Sequence, residues 1–541
     1  MRHNLHVALV SLGLLGTAAC DSFLTNSSND PNRPTAASIR QLFVGVQAAQ
    51  FAFQEGTTAM QLCLWVQTCG AANGRFVQQA YIYVFGEGTD IGSGFGDWLT
   101  VYDAGGLIDI RQVEATASAA GDRVWLGIAK IWEAYAIGTA ADLWGDVPYS
   151  NALTSGQPSL DGQAAVYASL QTLLDGAIAD LASGVGTGPA EVDLIFGGSP
   201  SKWIATANTL KARYFMHTAE SVGATAYASA LTAAASGIAD VSGASDFSAF
   251  HSSATSERNM WTQFQTSSGF GTDLSAGKAL VDLMVNRRDP RLSSYFCKNV
   301  TATWKGPDST FVLGRRVLGG GFVQEVTTAG TGGATAPVWN TAVGGTTTDG
   351  GVTWTNRDLP YAGDDPNTAQ PNVSRYSCLP PRFAATARVP YVTYAENELI
   401  LAEANATAKI NGGGGGSDAV ALTHLNNVRT WVNATFPPAT PLVALPPLAA
   451  ITGAGLRDSI MIEKYIVMFQ NMESYSDYRR ECIPNLTPAD NNRGFTNVPG
   501  RLYYPLQERN TNPNIPDPSV QNSANGFRNP LDVHGCKGDG R

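Results

Sequence analysis

Apolar residues recur at helical spacing over most of this chain, and the longest such stretch is residues 122–153, DRVWLGIAKIWEAYAIGTAADLWGDVPYSNAL. Val124, Ile128, Ile131, Tyr135 and Leu143 make one stripe, and Trp125, Ala129, Trp132 and Ala136 a second. Two stripes predict a core helix buried on more than one side. Gly145 and Pro148 end it in a sharp polar corner. Upstream, beyond a Ser/Asn/Pro tether over residues 25–35, Leu42, Val46, Ala49 and Phe53 predict a first helix over residues 39–61. Downstream, helices come in pairs. Ser159-Leu160-Asp161 caps a segment bearing Val166, Leu170, Leu174 and Leu181, which packs back on the core helix. Trp203, Ala207, Leu210 and Tyr214 mark another, with residues 226–235 as its short partner. From residue 298 to roughly 388 the pattern changes to Gly, Thr and Val with turn signals, which predicts short strands. Asp349-Gly350 reads there as a hairpin turn, with Trp339 and Trp354 either stacked as a miniature core or standing out to meet a ligand, the self-packed arrangement being the expectation. Helical spacing returns at Pro390: one helix over residues 391–404, a glycine run, a partner holding Leu422, Leu425, Val428 and Val432, and a long helix over residues 456–480.

Composition narrows the class. With 541 residues the chain has room for a large core or roughly two to three units. Its net charge is -10 and it has no dense Lys/Arg cluster, which argues against a nucleic-acid partner. Many Gly, Thr, Ser and Asn residues fit a loop-rich extracellular protein. Arg2, the apolar run at residues 7–15 and Thr17-Ala18-Ala19-Cys20 read as an export signal over residues 1–19 with lipidation at Cys20. That run is too short to stay in a bilayer as a permanent helix. Six cysteines remain, compatible with three disulfides. Nearest-neighbour pairing is the expectation: Cys63 with Cys69, Cys297 with Cys378 closing the insertion, and Cys482 with Cys536 pinning the tail.

Catalytic constellations are not legible. His217, His251, His424 and His534 stand alone in sequence, with no HExxH, GxSxG or P-loop spacing. Asp142 and Asp146 flank the corner, where they are placed to bond backbone N–H groups more than to work as a glycosidase pair. No metal or cofactor is expected.

The corner motif Asp142-Leu143-Trp144-Gly145-Asp146-Val147-Pro148-Tyr149, with Ala152-Leu153 behind it, closely resembles a helix-ending motif of the SusD/RagB family of outer-membrane nutrient-binding lipoproteins. Cys20-Asp21-Ser22-Phe23-Leu24, the Trp203…Ala207-Asn208…Leu210-Lys211-Ala212-Arg213 pattern, the helix at residues 391–404, Glu473…Arg479-Arg480 and Tyr503-Tyr504-Pro505-Leu506 are similar to further family segments, in order. Ser474 and Ser476 depart from the family's usual glycine and arginine. Asp289-Pro290-Arg291 also matches, with Arg291 read as structural.

The resemblance implies a mainly α fold, a tetratricopeptide-like superhelix of helix pairs with long loops. Its parts are a signal (1–19), a helical N-terminal part (20–297), a β-rich insertion (298–389) and a helical C-terminal part (390–541). It also implies a non-enzymatic surface lipoprotein of the outer membrane that delivers ligand to a SusC-like TonB-dependent transporter. Aromatic faces suit sugars, because pyranose C–H groups pack on a ring. The loop-rich stretch over residues 62–100 and the block after residue 259 supply the expected ligand-binding rings, Trp65, Tyr81, Trp98 and Trp261. The alternatives are a peptide ligand, as in RagB-like relatives, or an adhesin acting through the insertion.

Overall fold

Where the pattern predicts one N-terminal helix there are two, α1 (Ile39–Glu55) and α2 (Thr57–Trp65). Gly56 parts them: a Cβ there would meet the Ala52 carbonyl oxygen at 2.5 Å. A computed structural model describes residues 37–71, 94–267, 273–307, 309–368, 372–376, 382, 384–409, 415–489, 498–516, 528–532 and 536. The export signal, Cys20, Tyr81 and Cys378 lie outside these residues.

Helices α3 (Phe95–Tyr102) and α4 (Leu107–Ala119) lead into α5 (Arg123–Trp144), the predicted core helix. Asp122 caps it by accepting the Trp125 N–H at 2.9 Å, and both apolar stripes are buried. The next helix, α6 (Gln163–Ala182), packs on α5. Its cap differs from expectation. Gly162 holds the cap position, while Asp161 reaches back to accept the N–H groups of Tyr149 and Ser150 at 2.9 and 2.7 Å. The carboxylate thus ties the corner after α5 to the start of α6.

The stacking continues through α7 (Pro200–His217) and α8 (Ala224–Ala234), with α9 (Met260–Thr266) and α10 (Lys278–Asn286) following. After the insertion come α11 (Tyr394–Asn405), α12 (Asp418–Thr435), α13 (Gly453–Val467) and α14 (Glu473–Glu481). Neighbours pack in series, α6 on α7, α7 on α8, α8 on α11, and α11 on both α12 and α13. The fold is mainly helical, built of stacked helix pairs. One large core runs through it, with smaller ones under α7–α8 and between α11, α12 and α13.

The strand-rich stretch contains a four-stranded antiparallel sheet of β1 (Arg316–Gly319), β2 (Phe322–Thr328), β3 (Thr346–Asp349) and β4 (Val352–Asn356), in the order β1-β2-β4-β3. Asp349 pairs with Val352 across the hairpin, and Gly350 takes the left-handed conformation at φ 58°. The sheet has its own core: Trp354 is buried with Phe311, Val317, Val326 and Val352, and Trp339 meets it edge-on at 5.5 Å. Chain entry and exit are adjacent, since the Asn299 N–H donates to the Pro360 carbonyl at 2.9 Å.

The stretch read as one helix over residues 456–480 is also divided. Between α13 and α14 the chain turns at Gln470, whose φ is 68°. Disulfides join Cys63 to Cys69 and Cys482 to Cys536, and Cys297 is disulfide-bonded as well. Among the described residues no helix is long and apolar enough to cross a membrane.

Candidate functional site

Three of the four expected ligand-binding rings are core residues. Trp65 is 0 % exposed and meets Tyr475 edge-on at 5.8 Å; Trp98 is 2 % exposed, against Trp144 at 5.2 Å; Trp261 is 2 % exposed, against Tyr376 at 5.7 Å. These assignments are therefore corrected. Trp65, Trp98 and Trp261 sit on α2, α3 and α9 and turn inward, where burying so large a ring stabilises the fold more than display would. Tyr81 is outside the described residues.

The motif carboxylates and His217 are structural too, though differently from expectation; His534 lies outside the described residues. Asp146 does accept a backbone N–H, from Gln163 at 2.8 Å. Asp142 instead accepts the Tyr167 hydroxyl at 2.5 Å, and its Oδ1 lies 2.8 Å from His217 Nδ1. On the other side of the imidazole, Nε2 is 2.8 Å from Glu473 Oε1, so His217 is far from alone. Burial pushes its imidazole down, but Asp142 and Glu473 overcome that and hold it up at about 10. Asp142, His217 and Glu473 are also near enough to one another to be read as metal ligands. With one imidazole nitrogen facing each carboxylate, however, the arrangement is that of a buried ion bridge.

This bridge is one part of a larger network. Arg213 on α7 makes a bidentate pair with Glu396 on α11 at 2.6 and 2.7 Å. Lys464 on α13 donates to Glu403 at 2.9 Å and to Asp477 at 2.6 Å, and Arg480 on α14 joins the same two carboxylates. Arg291 is likewise structural, fully buried between Asp289 and Glu463 at 2.7 Å each.

An open pocket of about 440 Å³ lies where the break after α13 faces the end of α12. That volume suits one or two sugar rings. Trp431 and Phe436 form one wall, both half-buried and edge-on to each other at 6.2 Å. Tyr295, stacked on Phe469 at 5.0 Å, contributes another. The Arg382 guanidinium lies over the Tyr295 ring, 4.4 Å from its centroid, and donates to Gln470 Oε1 at 2.7 Å.

Two lining residues carry unmatched polar atoms. Gln470, 7 % exposed, has no partner for Nε2, and Ser294 has none for its hydroxyl. Asn471, next in the turn, is committed to the fold, donating to the Pro390 and Tyr391 carbonyls at 3.0 and 3.2 Å. Gln470 thus pairs a strained backbone with a spare donor, a combination found at ligand-contacting positions. Among the described residues, Asp246 is the one carboxyl lining this pocket. Burial pushes it up to about 7, opposed by the Tyr394 N–H and assisted by Asp240 and Glu396.

Two further cavities are less suited to a sugar. An open groove of about 630 Å³ beside the sheet, at Asn299, Arg316 and Glu325, has no aromatic residue among the described residues of its lining. Another of about 400 Å³ has Phe51 and Phe250, but its His251 is already held by Glu55 and by the Glu257 carbonyl. The chosen pocket escaped the sequence reading because its walls come from segments near residues 246, 295, 388, 431 and 470. One local signal was available: the polar pair Gln470-Asn471 follows directly on the apolar run Tyr465-Ile466-Val467-Met468-Phe469.

Stacked helix pairs bearing an open, ring-walled pocket define a class of mainly helical scaffold. A family described as SusD-like_2, "Starch-binding associating with outer membrane", matches residues 31–314, more than half of the chain, and the chain belongs to that family. Among solved structures it is similar to a chitin-binding protein, at 22 % identity and a TM-score of 0.62, covering 92 % of this chain and 98 % of that one. It is similar also to a chitin-binding SusD homolog from Flavobacterium johnsoniae, at 17 % identity and a TM-score of 0.64, with coverage of 92 % and 98 %. A SusD homolog from Bacteroides fragilis matches at 19 % identity and a TM-score of 0.60, covering 93 % and 99 %. At these identities the likeness is one of fold. No curated protein matches the chain.

Proposed function

We propose that this protein is a non-catalytic glycan-binding lipoprotein, anchored through Cys20 at the cell surface, which passes oligosaccharide to a SusC-like TonB-dependent transporter. The observation that carries the reading is membership of a starch-binding family that associates with the outer membrane. Structural neighbours that bind chitin support a carbohydrate ligand in particular.

The pocket between α12 and the α13–α14 turn is the proposed binding site. Trp431 and Phe436 supply flat apolar faces for the C–H side of a pyranose, while Gln470, Ser294 and Arg382 supply polar contacts for its oxygens. Calorimetric titration with starch- and chitin-derived oligosaccharides tests the reading. The wild type binds at least one of them, Trp431→Ala weakens that binding about ten-fold, and the sugar is recovered uncut. Binding of oligopeptides alone, or release of shortened sugars, contradicts it. Co-purification of a β-barrel transporter with the native lipoprotein tests the partner.

A further inference from the structure

We propose that the pocket selects sugars bearing a carboxylate over neutral ones, with Arg382 and Arg388 as the recognition groups. The inference rests on the glycan-binding reading above and goes beyond it to the class of sugar. The chain as a whole carries a net charge of -10. Its pocket has the opposite balance, because among the described residues the acidic and basic side chains of the lining are Arg382, Arg388 and Asp246. A cationic concavity on an acidic molecule focuses its potential on an anion and leaves cations to the exterior.

The donors are arranged for a two-oxygen acceptor. Arg382 lies flat on Tyr295 and gives one N–H to Gln470 Oε1, leaving the rest of its fork uncommitted among the described residues. That contact fixes which way the Gln470 amide faces, and its Nε2 is the donor without a partner. A carboxylate can take a guanidinium fork and an amide N–H together, whereas a sugar hydroxyl meets one of them at a time. Arg388, exposed at the pocket's edge, holds the Ser248 and Leu194 carbonyls at 3.4 and 3.3 Å and lies over the Phe250 ring at 5.5 Å; with Asp193 acting against it, it adds a smaller share of positive charge there than Arg382. Ring walls at Trp431 and Phe436 serve an acidic pyranose as well as a neutral one.

Asp246 is the group that opposes an anion. The charges acting on it are those of Asp240 on its own loop and Glu396 on α11; the two arginines line the same pocket. With its carboxyl held up at about 7, Asp246 is mostly neutral on the acid side of neutrality and mostly charged above it. The preference for an acidic sugar therefore strengthens as pH falls through that range, where a uronate is still ionised.

The test is calorimetry on the mature protein with trigalacturonate, its methyl ester and chitotriose. The ester keeps the ring and removes the charge. The acid binds about ten-fold tighter than the ester at about pH 6, and the preference shrinks at higher pH and in high salt. Arg382→Gln abolishes the preference and Arg388→Gln reduces it, while Asp246→Asn makes it independent of pH. Equal or tighter binding of the ester by the wild type overturns the inference, as does an undiminished preference in Arg382→Gln. If chitotriose binds in a Trp431-dependent way with no preference for acid, this inference fails and the glycan reading stands. If none of the three sugars binds but a starch-derived oligosaccharide does, this inference fails and the glycan reading stands; if that sugar does not bind either, both fail.

Discussion

Gln470 holds a left-handed backbone, a conformation that costs a side-chain-bearing residue on the order of 1 kcal/mol. Gln470→Gly removes that strain while giving up the bond to Arg382 and adding freedom to the unfolded chain. The expected result is a melting temperature no lower than wild type, together with an oligosaccharide affinity weakened about ten-fold. A variant that melts much earlier and binds normally would reassign Gln470 to the scaffold. His217 is the opposite case, a charge retained for structure. Its folded value of about 10 exceeds its ordinary 6.5, so its contribution is complete below about 6.5 and is lost as pH rises through 10. Glu473 is held at about 2 by His217 and Arg213 in spite of burial, so its contribution is complete above about 4.5 and is lost as pH falls through 2. The pair is thus most stabilising between about pH 4.5 and 6.5. His217→Gln should lower stability near pH 6 by on the order of 3 kcal/mol and flatten the alkaline limb, read by urea unfolding across pH. Neither role was legible in the sequence. A lone histidine and a scatter of rings say nothing about what faces them, and Trp65, Trp98 and Trp261 point inward because of tertiary packing alone.

Elements were legible where periodicity was long. The two stripes of α5 and the apolar spacing of α7 and α11 mark their helices, and the Gly/Thr/Val change marks the sheet. Breaks were not. Met468 and Phe469 continue the apolar pattern of α13 into the turn, so spacing alone gives no stop before Gln470. The insertion has its own core and leaves and rejoins the helical body at adjacent points, Asn299 and Pro360. Excising residues 301–358 across a short glycine joint should therefore leave a folded protein with unchanged oligosaccharide binding, whereas an adhesin working through the sheet loses attachment. The disulfides differ by the length of chain they close, 6 residues apart for Cys63–Cys69 and 54 for Cys482–Cys536. On chain entropy the first contributes about 2 kcal/mol and the second about 4. Replacing Cys482 and Cys536 by serine should accordingly lower the denaturant midpoint more than replacing Cys63 and Cys69.

Across the whole molecule, four of the motifs that carry the family resemblance meet through buried charges. The end of α5 brings Asp142, α7 brings Arg213 and His217, α11 brings Glu396 and Glu403, and α14 brings Glu473, Asp477 and Arg480. Buried charges tolerate few substitutes, since losing one partner strands the other in a medium that cannot solvate it. They fix how the helix pairs dock, which is why the family was readable from sequence; apart from Asp246, which feels Glu396, the pocket is lined by other residues, which is why the ligand was not. The central claim is that the break between α13 and α14 opens a site which holds a sugar intact. The most direct measurement is a crystal structure of the protein with a bound oligosaccharide. An uncleaved sugar stacked on Trp431 and hydrogen-bonded to Gln470 is the predicted result; a sugar bound elsewhere with this pocket empty, or one found cut, would contradict it.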